Sequence, residues 1–346
     1  MFEMIDYQSL WFVLWGLLWA FYFMTDGFDL GVGILYPFLA RDDLEKRMMI
    51  HSIGPVWDGN EVWLVTAGGA TFAAFPAAYG MMFSYLYTPF LLILLALIFR
   101  GVAFEFRAKG ESAAWRRGWD LAIFFGSLLP ALLFGVAFGN IFQGLAMDDR
   151  GFHGGLVSLL NFYGVMTGLL FVAMFVCHGA LWLAFKTGNE LGERAARFAL
   201  RTWLVLILAA VLFMVNTAFA TPLFDNYLKN KVLFLIPTAA ILSLLGVGMF
   251  TLKKRYLQAF IASGIAIGSI VAIGLVGLYP QLLPSRIDPR FSLTIYNASS
   301  SPYTLRIMTV VALIFVPLVI GYQAWVYALF RGPVTKEDVL ADRDAY

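Results

Sequence analysis

The sequence predicts an all-α integral membrane protein of about nine transmembrane helices. Three observations carry that reading. Of the 346 residues, 61% are hydrophobic and only 13% are charged, where a soluble domain carries about 25% charged residues. The apolar residues fall in runs of about 20 or more, enough to cross a hydrocarbon layer of about 30 Å. Turn signals separate the runs, at Pro37, Pro76 and Pro222 and between Pro280 and Pro302. No soluble core of this length has room for so much apolar side chain, so the solvent must be lipid.

Taken in order, the runs cover about 8–38, 51–75, 79–107, 119–142, 159–186, 199–220, 231–252, 257–280 and 305–330. The first is longer than a straight crossing needs, which predicts tilt or a protruding end. Pro76 divides the second from the third. The fourth begins near Asp120, where a carboxylate favours a helix N-terminus. The fifth carries Cys177 and His178, and the sixth stops before Pro222. Lys253, Lys254 and Arg255 split the seventh from the eighth, and a polar loop at about 281–304 precedes the ninth. That loop is too short to fold alone, so 1–346 reads as a single transmembrane domain. Met1 to Gln8 lacks the basic region of a cleavable signal peptide.

Basic residues set the orientation, because they accumulate on the cytoplasmic side. Arg150, Lys229, Lys231, Arg286, Arg290 and Arg306 lie at one end of the expected bundle, and Arg100 lies inside the third helix. All other lysines and arginines, from Arg41 to Arg343, fall at the opposite end. The N-terminus is therefore expected outside and the C-terminus in the cytoplasm. A weak internal repeat accompanies this pattern. Helix one carries Asp26-Gly27 and is followed by a charged loop and a helix ending at Pro76. Helix five carries His178-Gly179 and is followed by a charged loop and a helix ending at Pro222. Two four-helix halves, about 1–145 and 159–280, plus a final helix at about 305–330 are expected.

Composition also excludes some chemistry. The lone cysteine, Cys177, rules out an internal disulfide and a cysteine metal cluster. His51, His153 and His178 are too few and too scattered for several haems or a histidine-rich metal centre. No metal and no nucleic-acid partner is expected, and the net charge of +2 says little by itself.

The informative feature is charge inside helices one to three. Asp26 and Asp29 are three apart and share a helix face, as do Asp58 and Glu61. Arg100 lies in helix three, with Glu105 near its inner end. At 1.5 Å rise per residue, Asp58 and Arg100 lie roughly 10 Å from the cytoplasmic surface. Glu61 and Asp29 then lie roughly 15 Å deep and Asp26 roughly 20 Å. Charge in lipid costs at least a few kcal/mol per residue, so these groups should face inward, paired or hydrated. Desolvation raises the proton affinity of a carboxylate, and a row of such groups open to the cytoplasm suits proton transfer. The competing reading is a buried ion pair in which Arg100 neutralises Asp29 or Asp58 and fixes helix packing. His51, at the inner start of helix two, is either a proton collector or a surface histidine. His178 reads as a helix–helix hydrogen bond. Gly27-x-x-x-Gly31 and Gly135-x-x-x-Gly139 are small-residue patterns that let helices approach closely.

Five segments together resemble one family. They are Thr25-Asp-Gly-Phe-Asp-Leu-Gly-Val-Gly33, Pro55-Val-Trp-Asp-Gly-Asn-Glu-Val-Trp-Leu-Val-Thr-Ala-Gly-Gly69, Phe72-Ala-Ala-Phe-Pro76, Arg100-Gly-Val-Ala-Phe-Glu-Phe-Arg107 and Gly135-Val-Ala-Phe-Gly-Asn140. In order and spacing they resemble subunit II of cytochrome bd-type quinol oxidases. The motifs cover about residues 20–145, and beyond them length and helix pattern carry the match. The resemblance implies a bacterial or archaeal cytoplasmic membrane and a partner subunit I bearing haem b and haem d. It implies a complex that oxidises quinol and reduces oxygen to water. Members of the cyanide-insensitive type carry b haems only, so the haem set is not legible here. Subunit II then supports assembly and carries cytoplasmic protons, with Asp58 as the relay and Glu61, Asp29, Asp26, Arg100 and Glu105 around it. Relatives often have aspartate where Glu105 stands, so only the carboxylate carries over. The resemblance further allows a structural quinone or lipid in this subunit and a small single-helix accessory subunit. The competing classes are a proton-coupled secondary transporter and a purely structural partner.

Overall fold

The computed structural model describes residues 6–341, so Arg343 of the basic tail and the first five residues of the N-terminal segment lie outside the described residues. The helices are α1 (Tyr7–Leu39), α2 (Asp43–Ile53), α3 (Trp57–Ala74), α4 (Pro76–Tyr85), α5 (Tyr87–Phe106), α6 (Ala113–Gln143) and α7 (Leu156–Leu159). They continue with α8 (Phe162–Lys186), α9 (Asn189–Ala220), α10 (Asp225–Lys229), α11 (Leu235–Leu252), α12 (Tyr256–Leu278), α13 (Pro302–Leu329) and α14 (Lys336–Ala341). Two small antiparallel ribbons, β1 (Met147–Asp148) with β2 (Gly151–Phe152) and β3 (Gln281–Leu283) with β4 (Leu293–Thr294), lie in the loops.

Among the described residues, 8 helices are long and apolar enough to cross a membrane: α1, α5, α6, α8, α9, α11, α12 and α13. The expected second crossing is the exception. Its first turns carry Asp58, Asn60 and Glu61, and the helix is interrupted at Gly54-Pro55-Val56, which sets α2 apart. Yet α3 runs antiparallel along α1 through the same depth. Asn60 near its start bonds Asp29, and Thr71 near its end accepts from Trp15 Nε1 at 2.8 Å.

Local chemistry explains the other departures. The expected third helix is two pieces because the Pro89 ring would clash with the carbonyl of Tyr85, and α4 stops at Tyr85. Pro76 opens α4 at its first turn, where a missing N–H costs nothing. Helix α6 starts at Ala113, capped by the Ser112 hydroxyl, which accepts from Trp115 N. Asp120 is therefore inside the helix and not at its start. Helix α9 begins ten residues before the apolar run, because Leu191, Ala195, Ala196 and Ala199 give the polar segment a buried face.

Helices α1 and α8 run parallel and cross at the centre. A Cβ on Gly31 would sit 1.9 Å from the Phe175 carbonyl oxygen, and one on Gly179 would sit 2.5 Å from the Gly31 carbonyl carbon. Only glycine allows this approach, which yields the dense packing that holds helices together in lipid. Gly135 meets Gly168 in the same way where α6 crosses α8. Both α1 and α8 pack on α6 and α12. Helix α3 flanks α1 and α9 flanks α8, while α5–α6 and α11–α12 form matching hairpins. Phe23, Phe138, Phe171 and Phe175 fill the centre, with Phe23 edge-on to Phe171 at 5.0 Å and to Phe138 at 5.4 Å. Helix α13 rests against α1 and α3 and buries only Leu305 fully. The basic loops after α1, α5, α8 and α11 gather at one end, which is called the basic end below.

Candidate functional site

Arg100 is fully buried on α5. Gly126 of α6 makes room for it, since a Cβ there would lie 2.9 Å from the Arg100 Cβ. The Arg100 Nη2 donates to Asp26 Oδ1 of α1 and to Glu61 Oε1 of α3, each at 2.6 Å. Three helices are thereby tied at one guanidinium. Asp29, one turn along α1, accepts from Asn60 Nδ2 at 2.7 Å on its Oδ2. Its Oδ1, and Arg100 Nε and Nη1, have no hydrogen-bond partner among the described residues. The Asn60 carbonyl accepts from Tyr327 of α13 at 2.8 Å.

Helices α1, α3 and α5 bring together Asp26, Asp29, Glu61 and Arg100, but not as either ion pair considered from sequence. Arg100 pairs with Asp26 and Glu61 instead of Asp29 or Asp58. Of the four acids expected to face inward, Asp58 does not turn into the interior of this chain, while Glu105 is expected only near the inner end of its helix. Asp58 and Glu105 are exposed on the surface of this chain. Asp58 heads a stripe of exposed residues, Asp58, Val62, Val65, Gly69 and Phe72, spaced alternately four and three apart along α3. That spacing is the seam a packing helix presents to another helix.

A second ionic cluster closes the basic end. Asp120 accepts from Lys46 Nζ and Arg107 Nε, each at 2.6 Å, and from the Tyr36 hydroxyl at 3.0 Å. Arg107 also bonds Asp43 at 2.6 Å. Asp120 is thus a clamp joining α1, α2 and α5 to α6, not a helix cap. Nearby, Glu45 of α2 bonds Arg194 of α9 at 2.5 Å and accepts from Arg41 N at 2.7 Å. Burial opposes its ionisation, but the Arg194 guanidinium and the Arg41 N–H outweigh that and hold its carboxyl below the usual range.

His51 ends α2 and lines a pocket of about 530 Å³ at the basic end. His178 has both ring nitrogens occupied, Nδ1 by Ser263 Oγ at 2.5 Å and Nε2 by the Met24 carbonyl at 3.0 Å. It is stacked on Phe260 with centroids 4.3 Å apart and joins α8 to α12 and α1. Neither nitrogen is left for a haem iron. A second pocket of about 610 Å³ lies between α1, α3, α4, α5 and α6, walled by Trp19, Gly68, Phe72, Tyr79, Phe83 and Phe138. The Trp19 indole N–H has no partner among the described residues.

Sequence reasoning missed Asn60 and Tyr327. Asn60 lies within a quoted motif, and a polar amide in a membrane helix is itself a signal of an interhelical bond. Tyr327 had none, since aromatics near a helix end read as interface anchors.

The model of the cytochrome bd terminal oxidase subunit II family matches residues 7–330. Cytochrome bd ubiquinol oxidase subunit 2 of Bacillus subtilis is 35% identical over 97% of this chain and 99% of its own length. Cytochrome bd-I ubiquinol oxidase subunit 2 of Escherichia coli is 37% identical over 97% of this chain and 98% of its own length. A solved structure of the bd oxidase from Geobacillus thermodenitrificans superposes with a TM-score of 0.79, covering 94% of this chain and 99% of the solved one at 19% identity.

Proposed function

The chain belongs to the cytochrome bd terminal oxidase subunit II family, and from that premise we propose that it conducts cytoplasmic protons to a haem-bearing subunit I. It is a multi-pass inner-membrane protein and a component of a quinol oxidase complex. The partner subunit I supplies the haems and the redox chemistry, the reduction of oxygen to water by quinol. This chain supplies assembly contacts and a path for protons.

The observation that carries the reading is the charge balance of the cluster. One guanidinium bonds two carboxyls, Asp26 and Glu61, with a third, Asp29, one turn along α1, and an uncompensated buried anion is costly. One guanidinium cannot offset three carboxyls, and the excess is what exchangeable protons would balance. Asp58 extends the row to the surface, on a helix seam that a partner must cover, because a carboxylate facing lipid costs a few kcal/mol. The path runs from Glu105 near the basic end to Asp58 and Glu61 at the subunit boundary, with Asp26, Asp29 and Arg100 behind them. His51 serves as a collector at the basic end.

The same reading completes the topology. Helix α3 is the ninth crossing, the N-terminus faces outside, and two four-helix halves are related about the α1–α8 crossing. The shared packing of α1 and α8 on α6 and α12 supports the halves. The pocket beside Trp19 has the aromatic walls and, at Trp19, an N–H without a partner among the described residues, which suit a structural quinone or lipid. Mass spectrometry of an organic extract of the purified complex tests that occupant. A small single-helix accessory subunit and the quinol complete the set of partners.

Purification of the tagged complex tests the whole. A second large subunit with haem bands in the visible spectrum is expected, whereas a transporter would come alone and colourless. Asp58→Asn is expected to lower oxygen reduction with haem content and assembly intact. Unchanged turnover would leave the acids as packing groups.

A further inference from the structure

The pocket at the basic end is not used by the path along α3. Its walls come from α2, α8, α12, α13 and the segment after α13. None of the exposed seam residues of α3 lines it. Its volume of about 530 Å³ holds on the order of ten waters. Its polar lining includes His51, Lys186, Arg331 and Asp338, and Tyr327 stands on its wall. The rim is built deliberately. Lys186 Nζ donates to the carbonyls of Phe330 and Gly332, and Val334 N donates to the Lys186 carbonyl at 2.6 Å. Arg47 donates to the Val339 carbonyl at 3.1 Å and pins α14 to α2.

From Tyr327 two hydrogen bonds reach the buried carboxyls. The Tyr327 hydroxyl donates to Asn60 Oδ1 at 2.8 Å, and Asn60 Nδ2 donates to Asp29 Oδ2 at 2.7 Å. Both donors point toward Asp29, whose other oxygen has no partner among the described residues. Helix α13 is otherwise mostly exposed and apolar, and toward its C-terminal end Gln323 and Tyr327 both bond α3. Gln323 Nε2 donates to the Gly59 carbonyl at 2.7 Å, and its Oε1 accepts from Trp63 Nε1 at 2.8 Å. Helix α13 thus holds one side chain between the carboxyl cluster and a pocket whose largely apolar walls carry His51, Lys186, Arg331 and Asp338.

We propose that this pocket is a second, water-filled mouth of the carboxyl cluster, opening at the basic end and meeting Asp29 through Tyr327 and Asn60, with Tyr327 as the positioning residue. The inference rests on the proton-conducting reading above. Water fills the pocket as far as the Tyr327 ring. The Tyr327–Asn60 pair links that water to Asp29 and orients its carboxyl.

The test uses the whole complex in membrane vesicles. Cys177 is fully buried, so the parent protein is its own unreactive control. Tyr327→Cys is treated with a small charged thiol reagent in vesicles exposing either end. Modification from the basic end only, with loss of turnover on modification, is expected. A thiol inert from both ends, or one modified with turnover unchanged, would overturn the proposal. Ala328→Cys, on the same pocket, reports access if the first variant assembles poorly. Tyr327→Phe is expected to lower kcat about fivefold for one lost hydrogen bond, with KM for quinol and haem content unchanged. An unchanged kcat would also count against the proposal. Asp29→Asn, measured alongside, separates the two levels. If it leaves turnover intact the proton reading itself fails, and if it lowers turnover while both Tyr327 results fail, only the second mouth is wrong.

Discussion

Replacing Arg100 by glutamine removes the one cation at the meeting of α1, α3 and α5. The guanidinium makes two bonds of 2.6 Å, to Asp26 and Glu61, with no solvent exposure of its own. Breaking a buried pair by removing one partner costs about 3–5 kcal/mol, because an uncompensated charge stays behind. At roughly 2 °C per kcal/mol for a chain of this size, the complex should melt roughly 6–10 °C lower. The second half of the prediction concerns recovery. Glu61→Gln in the Arg100→Gln background removes one of the stranded carboxyls, so the double variant should be more stable than Arg100→Gln alone. Thermal release of the haem-bearing subunit, followed by absorbance, measures both. Additive losses in the double-mutant cycle, or an unchanged melting temperature for Arg100→Gln, would refute the argument that this cation is coupled to Glu61.

Other changes test the supporting structure. Gly31→Ala places a Cβ 1.9 Å from the Phe175 carbonyl oxygen, so α1 and α8 must separate. It should cut the yield of assembled complex several-fold more than Gly68→Ala, whose Cβ meets nothing within 4 Å. Glu45 gives a pH dependence. Its carboxyl is held below the usual range in the fold, so its stabilisation is complete above the unfolded value of about 4.3. That stabilisation is lost as pH falls through the folded value. Glu45→Gln should therefore destabilise the protein at pH 7, and the gap to the parent protein should narrow as pH drops below about 4. A gap that persists unchanged at acid pH would contradict the ionic tie to Arg194.

Much of this architecture is legible in the sequence because lipid imposes simple demands. Apolar run length and the asymmetry of basic loops depend on one residue at a time, and both the crossings and the basic end follow from them. That Asp26, Asp29, Glu61 and Arg100 share one half of the membrane follows from depth, but depth places Asp58 there too and does not exclude it from the cluster. Their pairing does not follow from depth, because it depends on how α1, α3 and α5 are rotated against each other. Helix rotation also decides that Asp58 points away from this chain while Glu61, three residues later, points in. The spacing Asp58, Val62, Val65, Gly69, Phe72 held that information, but an acid at its head masks the pattern. Asp120 was misplaced because the apolar run begins after Trp119, whereas the helix begins at Ala113, capped by the Ser112 hydroxyl. Tyr327 reaches the cluster only through the fold of the last helix, and no local pattern marks it.

The central claim is that carboxyls of this subunit carry protons consumed in oxygen reduction. The direct measurement is proton uptake and oxygen consumption by the purified complex after rapid mixing with oxygen, comparing the parent protein with Asp58→Asn. The account predicts that both fall together in the variant, by at least tenfold, with haem content and quinol KM unchanged. Proton uptake at the parent rate in a fully assembled Asp58→Asn complex would contradict it.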